Sequence, residues 1–395
     1  MDGPALGVLL YRPVKLAVPK ELNPNEHRVA IVPDVAGRLK GSGFEVAVES
    51  GAGEAAYFTD DAYREKGASI GDLTSISKDA EIIGKVQPPT PQETSELPEG
   101  ITVVSFLQPT SQLEVVKALV AKKATAFSLD LVPRISRAQS MDALSSQATV
   151  SGYRSALAAA ELLPKFFPLF MTAAGTVPPA KVFVMGTGVA GLQAIATARR
   201  LGAQVRAYDV RAAAAEEVQS LGATFVQLDL ETQEGVGGYA RAQSEEFLAR
   251  QRELLGKEVA VSDAVITTAA VPGRKAPVLV TKEMVEAMSA GSVVVDLAAD
   301  GGGNCELTEA GRDVVHEGVT VRGMSNPASG MPTHASFLYA RNVANFLSLL
   351  SKDGQLAPDF DDEVVAGSCV IKNGDVVHEQ TRELLGADGR SEGEK

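Results

Sequence analysis

Residues 181–191 read KVFVMGTGVAG and decide the fold prediction. Within them an apolar strand leads directly into Gly186, Gly188 and Gly191, and the helical pattern LQAIATARRLGA follows at residues 192–203. In such a turn the first glycine makes the bend, the second lets the backbone approach a pyrophosphate, and the third lets helix and strand pack closely. The helix N-terminus offers N–H donors and partial positive charge to the anion. The stretch predicts a dinucleotide-binding βα unit, with a glycine-rich turn lacking a ligand as the structural alternative.

The next strand, QVRAYD, ends in Asp209, about 20 residues further on, where a carboxylate can accept hydrogen bonds from the adenosine ribose. Its charge would repel the 2′-phosphate of NADP(H), so the sequence favours NAD(H). Arg211 is the counter-argument, because an arginine there could pair with that phosphate. The candidate cofactor contacts at the ends of these strands are Gly186, Thr187, Gly188, Val189, Ala190, Gly191, Asp209, Val210, Arg211, Thr268 and Ala269.

Short β-branched runs alternate with helical patterns along all 395 residues, which suits two α/β domains. We predict two Rossmann-like domains with parallel sheets and a cleft between them. The NAD(H)-binding domain spans residues 149–334, and the N-terminal domain is discontinuous, with residues 1–148 and 335–395. The predicted strands are 14–18, 45–49, 81–86, 102–106 and 124–129 in the first domain and 181–185, 204–209, 224–228, 264–268, 292–296 and 319–323 in the second.

Four other segments carry weaker patterns. Residues 87–98 are rich in proline, which cannot donate to a strand ladder, so they predict a loop or an edge connection. Residues 151–171 predict a long helix between the domains that prolines kink or end. Residues 335–350 predict another helix. Residues 229–240, DLETQEGVGGYA, are long and aperiodic enough for a mobile flap.

Composition narrows the possible ligands. A net charge of −13 argues against nucleic acid as a partner. Cys305 and Cys369 lie far apart, which disfavours a disulfide framework or a cysteine metal site. The histidines are isolated and lack metal-ligand spacing, so we expect no metal. No apolar run reaches the roughly 18 residues that a membrane helix needs, so we expect no direct membrane span.

With these residues in view, the chain resembles the NAD(H)-binding component, domain I of the alpha subunit, of proton-translocating NAD(P) transhydrogenase. It resembles alanine dehydrogenase more distantly. The resemblance extends from PKELNPNEHRVAIVP at residues 19–33 to DEVVAGSCVIKNG at residues 362–374. Its most specific segments are VPRISRAQSMDALSSQA at 132–148, GVAGLQAIATARRLGA at 188–203 and GGNCELTE at 302–309.

The resemblance implies a set of catalytic residues. The family's loop that orders the nicotinamide ring falls on Arg134, Gln139, Asp142 and Ser145, and the tyrosine of its flexible loop falls on Tyr239. Arginine and aspartate can hold a carboxamide in one orientation, and a neutral glutamine can bridge ribose or nicotinamide groups. Direct hydride transfer needs orientation more than a general base. From spacing alone, the alternative is a solvated helix start.

Alanine dehydrogenase is the enzyme alternative. Its substrate arginine and lysine would correspond to Arg28 and Lys85, but its catalytic histidine aligns with Gln108, and glutamine cannot serve as an acid or base. A non-catalytic NAD(H) sensor is a further alternative. The transhydrogenase resemblance implies a homodimer, NADP(H) on a partner component and a membrane-spanning partner. It also implies a peripheral location on the cytoplasmic side of the inner or plasma membrane, or the matrix side in a mitochondrion.

Overall fold

The computed structural model describes residues 12–227, 245–270, 275–352 and 354–391. The strands are β1 (Val14–Val18), β2 (Phe44–Glu49), β3 (Ser69–Gly71), β4 (Ile82–Gly84), β5 (Thr102–Ser105), β6 (Thr125–Ser128), β7 (Phe170–Thr172), β8 (Gly175–Val177), β9 (Lys181–Met185), β10 (Gln204–Tyr208), β11 (Thr224–Phe225), β12 (Ala264–Thr267), β13 (Val293–Asp296), β14 (Asp313–His316), β15 (Val319–Gly323), β16 (Ser351–Lys352), β17 (Gln355–Leu356), β18 (Cys369–Lys372) and β19 (Asp375–Val376). The helices are α1 (Pro33–Gly41), α2 (Asp60–Glu65), α3 (Leu73–Ser77), α4 (Pro91–Glu96), α5 (Leu113–Ala121), α6 (Ala143–Leu162), α7 (Val189–Arg200), α8 (Ala214–Ser220), α9 (Glu245–Ala260), α10 (Lys282–Glu286), α11 (Pro332–Leu350), α12 (Glu363–Ser368) and α13 (Glu379–Ser391).

The chain divides into two compact units, and the first comprises Met1–Ser146 with Pro332–Lys395. Its sheet has the strand order β19-β18-β6-β5-β4-β1-β2-β3, in which β1 to β6 are parallel and β18 joins β6 antiparallel. Both faces are buried, as expected of a largely parallel sheet. Leu16 packs in the cluster that contains α11, and the next residue, Ala17, packs in the cluster that contains α5.

The second unit is Gln147–Met331, and its sheet has the order β11-β10-β9-β12-β13-β15-β14. The parallel part runs third, second, first, fourth, fifth, sixth along the chain, which is the dinucleotide-binding order. In β9, Val184 packs toward α7 and Phe183 toward α9. The chain leaves β9 in one direction and later returns to its other side at β12, so the carboxyl end of β9 is the topological switch point. The prediction of an α/β protein with two Rossmann-like sheets is confirmed.

One prediction was wrong in residues 87–98, because α4 (Pro91–Glu96) lies inside the segment expected to be a loop. Thr90 and Glu93 form a capping box in which Thr90 Oγ1 accepts from Glu93 N at 3.1 Å and Glu93 Oε2 accepts from Thr90 N at 2.7 Å. Pro91 occupies the first turn, where a missing N–H costs nothing. The proline therefore begins a helix and does not prevent one.

The long helix between the domains was predicted at the wrong position. It begins earlier, since α6 is Ala143–Leu162, and it ends just before Pro164. Part of the predicted helix is β7, which pairs antiparallel with β8 in a separate hairpin. The expectation of wholly parallel sheets also needs correction, because β14, β18 and β19 are antiparallel. Within the described residues, no helix combines the length and apolar character that crossing a bilayer requires.

Candidate functional site

The glycine-rich turn follows β9 at the switch point. Gly186 adopts a φ of +95°, which a residue with a side chain rarely adopts, and Thr268 Oγ1 donates to its carbonyl oxygen at 3.0 Å. A Cβ at Gly191 would overlap that same carbonyl oxygen. The first and third glycines are therefore required by the local fold itself.

Gly188 is different, because a Cβ there would meet no atom within 4 Å. It is the N-cap residue of α7, it has an ordinary φ of −69°, and no side chain caps the helix. Gly188 and Val189 are both exposed, and Ala190 is half-buried. The first turn of α7 thus presents its N–H donors at a surface where the backbone has no side chain in front of it, which suits a phosphate.

Asp209 follows β10 and is linked to this turn. Its Oδ2 accepts hydrogen bonds from Thr187 N at 2.8 Å and from Thr187 Oγ1 at 2.9 Å. Arg211 forms a two-pronged ion pair with the same carboxylate, with Nε 3.0 Å from Oδ1 and Nη2 3.1 Å from Oδ2. The arginine that could have served a 2′-phosphate is therefore paired with the carboxylate expected to bind ribose.

The charge of this carboxylate follows from its partners. Burial favours the neutral acid, but hydrogen bonds from the Arg211 side chain and the Thr187 backbone outweigh burial and hold the pKa of Asp209 below its ordinary value. Asp209 is consequently ionised at neutral pH. A ribose that hydrogen-bonds to it must take over places that Arg211 occupies.

Asn304 supports this site, and no role for it was predicted from the sequence. The side chain is fully buried, its Oδ1 accepts from Ala269 N at 2.9 Å, and its Nδ2 donates to Ala269 O at 2.8 Å. Asp296, at the end of β13, in turn accepts from Asn304 N at 2.7 Å. These contacts fix Thr268 and Ala269 beside the turn, and the only hint in the sequence was the motif after the fifth strand.

The residues implied by the nicotinamide-loop resemblance lie in the first unit. Arg134 and Gln139 are exposed, and Asp142 and Ser145 are half-buried. Asp142 precedes α6 and caps it, because its carboxylate accepts from Ser145 N at 2.8 Å and from Ser145 Oγ at 2.6 Å. The capping role and the implied role fall on the same aspartate. Tyr239 and the segment 229–240 lie outside the described residues.

Contacts on both sides hold the loop that carries Gln139. Arg137 donates to both carboxylate oxygens of Asp362, at 2.8 and 3.0 Å. Asn342 and Asn345, both on α11, donate to Ser140 O at 2.9 and 3.0 Å. Gln139 therefore projects from a backbone that is fixed on either side of it, although its own side chain is exposed.

The two cations that alanine dehydrogenase would use are engaged within the protein. Glu26 accepts two hydrogen bonds from the Arg28 side chain, at 2.7 and 2.6 Å, and both side chains are buried. Lys85 Nζ lies 2.7 Å from Glu93 and 3.5 Å from Glu21. Burial disfavours the ammonium, but these two carboxylates outweigh it and raise the pKa of Lys85. Each cation is thus neutralised by its own carboxylate neighbours.

Comparison with known proteins places this geometry in a family. Residues 17–151 match the family described as alanine dehydrogenase/PNT, N-terminal domain, and residues 155–379 match its C-terminal domain. The chain is 48% identical over 376 residues to the first of the chains that form NAD(P) transhydrogenase subunit alpha in Rhodospirillum rubrum, covering 92% of this chain and 98% of that protein. It is 31% identical over 299 residues to alanine dehydrogenase of Staphylococcus epidermidis, covering 75% of each.

Solved structures agree with the sequences. A transhydrogenase from Sinorhizobium meliloti superposes with a TM-score of 0.84 and 44% identity, covering 92% of this chain and 99% of that one. An L-alanine dehydrogenase superposes with a TM-score of 0.81 at 24% identity, covering 94% and 99%, which shows a shared fold. The chain therefore belongs to the alanine dehydrogenase/PNT family and is a relative of the alpha subunits of NAD(P) transhydrogenase.

Proposed function

We propose that the protein is the NAD(H)-binding component of a proton-translocating transhydrogenase, which exchanges a hydride with NADP(H) on a partner component. The carrying observation is the turn after β9, where the open backbone at Gly188 and the first turn of α7 adjoin the ionised Asp209. NADH, when bound, supplies the hydride. In this proposal residues 149–334 form the NAD(H)-binding domain, and their task is to bind the pyrophosphate and the adenosine ribose.

Nucleotide choice depends on Asp209 and Arg211. A ribose diol can donate hydrogen bonds to Asp209 as Arg211 withdraws, whereas a 2′-phosphate would face the carboxylate charge. We expect wild-type protein to bind NADH at least about tenfold more tightly than NADPH by calorimetry. Asp209→Asn should narrow that gap, because it removes the repulsion and releases Arg211 toward the phosphate. Equal affinities in the wild type would contradict the assignment.

The nicotinamide end is assigned to the loop of the first unit and to one residue outside the described ranges. Arg134, Gln139, Asp142 and Ser145, with Tyr239, would orient the ring for transfer. The two sides of the loop are fixed through Ser140 and Arg137, so the exposed Gln139 amide is carried by a rigid backbone. Such rigidity matters because reacting carbons must come within about 3 to 3.5 Å.

The experiment mixes the chain with an NADP(H)-binding transhydrogenase component and follows hydride transfer between the nucleotides. Gln139→Asn keeps the amide and shortens the side chain by one methylene. We expect NADH affinity to stay within about threefold while single-turnover transfer falls by at least about tenfold. Ser140→Ala, at the neighbouring exposed side chain, is the matched control and should transfer at the wild-type rate.

Two results would contradict this proposal. One is a Gln139→Asn variant whose loss appears entirely as weaker NADH binding, with unchanged single-turnover transfer. The other is reduction of pyruvate with ammonia by the chain alone, which would favour the dehydrogenase alternative. The internal neutralisation of Arg28 and Lys85 by carboxylates supports our expectation that no such activity occurs.

Partners complete the proposal. Proton movement would belong to a membrane-spanning partner, with this component peripheral on the cytoplasmic or matrix side. For the homodimer, we propose the hairpin of β7 and β8 as the contact surface, with a second copy of the chain as its occupant. All six residues of its two strands are exposed, and Phe166–Ala180 contains no charged side chain in a chain of net charge −13. An uncharged surface is where two such copies can approach with least repulsion.

A further inference from the structure

Three potential metal ligands lie together at the β14 edge of the second sheet. They are Glu286, His316 and Glu317, and one ligand atom from each lies within 4.8 Å of the other two. His316 Nε2 is 2.9 Å from Glu286 Oε1. In a tetrahedral zinc site the donor atoms are about 3.4 Å apart, because each Zn–N or Zn–O bond is about 2.0 to 2.2 Å. Small side-chain rotations would bring the three groups to that spacing.

The backbone fixes two of these ligands side by side. His316 pairs with Val319 across the β14 and β15 ladder, so Glu317 and Gly318 form a two-residue turn. Their φ values are +46° and +81°, which is the pattern of a type I′ turn. Asparagine or glycine adopts the first of these positions more readily than glutamate does. The turn holds Glu317 next to His316 at the exposed end of the ladder.

Glu286 comes from a different element that is also anchored. It is the last residue of α10, which begins at the capping Thr281, and its neighbour Val285 is fully buried. Lys282 Nζ lies 3.6 Å from Glu286 Oε1. This ammonium partly offsets the carboxylate charge and would oppose a second cation there. The cluster thus joins two separately fixed elements and has one identifiable competitor.

We propose that Glu286, His316 and Glu317 form a binding site for a divalent transition-metal ion of the zinc type. Imidazole nitrogen with carboxylate oxygen is a donor set that zinc accepts, whereas magnesium prefers octahedral oxygen ligands. The ion would take the place of the hydrogen shared by His316 Nε2 and Glu286 Oε1, and water would complete its coordination. It would tie α10 to the turn between β14 and β15.

The position of the cluster indicates a structural role. In the sheet order, β14 is the edge strand and lies four strands from β9, which carries the phosphate turn. Bound metal should therefore stabilise the folded second unit without touching the nucleotide site. Any ligand that binds only the folded state raises the temperature of unfolding.

The experiment titrates the full chain with Zn²⁺ against a chromophoric zinc chelator, in parallel with thermal unfolding. We expect one ion per chain and a higher unfolding temperature with zinc. His316→Gln and Glu317→Gln should each weaken binding by about tenfold or more and reduce the thermal shift. Lys282→Gln should tighten binding by about twofold to fivefold, because it removes a competing cation. His334→Gln, at an exposed histidine of the first unit, is the matched control and should bind as the wild type does.

The outcomes separate cleanly. Metal-free unfolding temperatures establish that each variant is folded before its zinc affinity is compared. Zinc binding that survives His316→Gln and Glu317→Gln unchanged would overturn the proposal, and so would equal losses in His334→Gln. Binding of Mg²⁺ as tightly as Zn²⁺ would also overturn it, because the imidazole would then contribute nothing.

Discussion

The three glycines of the phosphate turn make separate contributions that substitution can distinguish. Gly186 and Gly191 meet each other, since a Cβ on the latter would overlap the carbonyl oxygen of the former. Gly188 faces open space in this structure, so its lack of a side chain benefits only a ligand. One motif therefore contains both a folding requirement and a binding requirement.

This difference gives a matched pair of variants. Gly188→Ala should fold with an unfolding temperature near that of the wild type but bind NADH at least about tenfold more weakly, because the Cβ blocks the pyrophosphate. Gly191→Ala should be destabilised by about 1 to 3 kcal/mol, since helix and strand must separate. Thermal unfolding and calorimetry measure the two effects. Equal destabilisation by both substitutions would show that the turn is purely structural.

The sequence alone predicted some features of this site. Gly186 and Asp209 follow uninterrupted apolar strands, so their positions at the carboxyl ends were predictable from pattern. The ion pair between Asp209 and Arg211 was not, because hydrogen-bond partners depend on side-chain rotamers that spacing does not specify. Asn304 was missed for a related reason, since its partner Ala269 lies 35 residues away.

At the level of elements, local patterns gave the central strands and missed features that depend on pairing or capping. β9 was predicted with its observed bounds because a parallel central strand is continuously apolar. β18 was not predicted, since its place beside β6 depends on a contact between distant segments of the chain. α4 was hidden by prolines, although Thr90 and Glu93 had the spacing of a capping box.

One contact between elements has a predictable pH dependence. Asp362 accepts from Val364 N at the start of α12 and is paired with Arg137 of the nicotinamide-type loop. Hydrogen bonds from Arg137 first, and from the helix N–H groups next, outweigh burial and lower the pKa of Asp362 to about 2. Because the folded-state pKa is lowered, the stabilisation is present above the ordinary value of 3.8 and is lost as pH falls from there toward 2.

Asp362→Asn should therefore lower the unfolding temperature by about 1 to 4 °C at pH 7, with the deficit shrinking as the pH falls below 4. Asparagine still caps α12, so this variant isolates the charge. Asp362→Ala removes both charge and cap and should be less stable than the asparagine variant at every pH. The measurement is thermal unfolding at a series of pH values. A deficit that is the same at pH 7 and pH 3.5 would exclude the ion pair as its cause.

At the level of the whole molecule, charge and exposed apolar surface are unevenly distributed. The chain carries a net charge of −13, yet Phe166–Ala180 has none. Met171 is 78% exposed and Leu169 is 53% exposed, and Phe166 packs on Phe170 with ring centroids 4.5 Å apart. A two-stranded hairpin is at best marginally stable in water without packing against something else. Contiguous exposed apolar groups of this kind mark an interaction surface.

If a second copy covers the hairpin, a charge placed there should separate the copies. We expect the wild type to sediment as a dimer and Met171→Glu to weaken dimerisation by at least about tenfold, because a buried carboxylate without a partner is costly. Val261→Glu is the matched control, since Val261 is 57% exposed in the same unit but outside the hairpin, and it should remain dimeric. Sedimentation equilibrium gives both association constants. A monomeric wild type, or a Met171→Glu variant as dimeric as the control, would remove the hairpin as the contact surface, whereas dissociation of Met171→Glu alone would show that the uncharged segment of an otherwise acidic chain holds the two copies together.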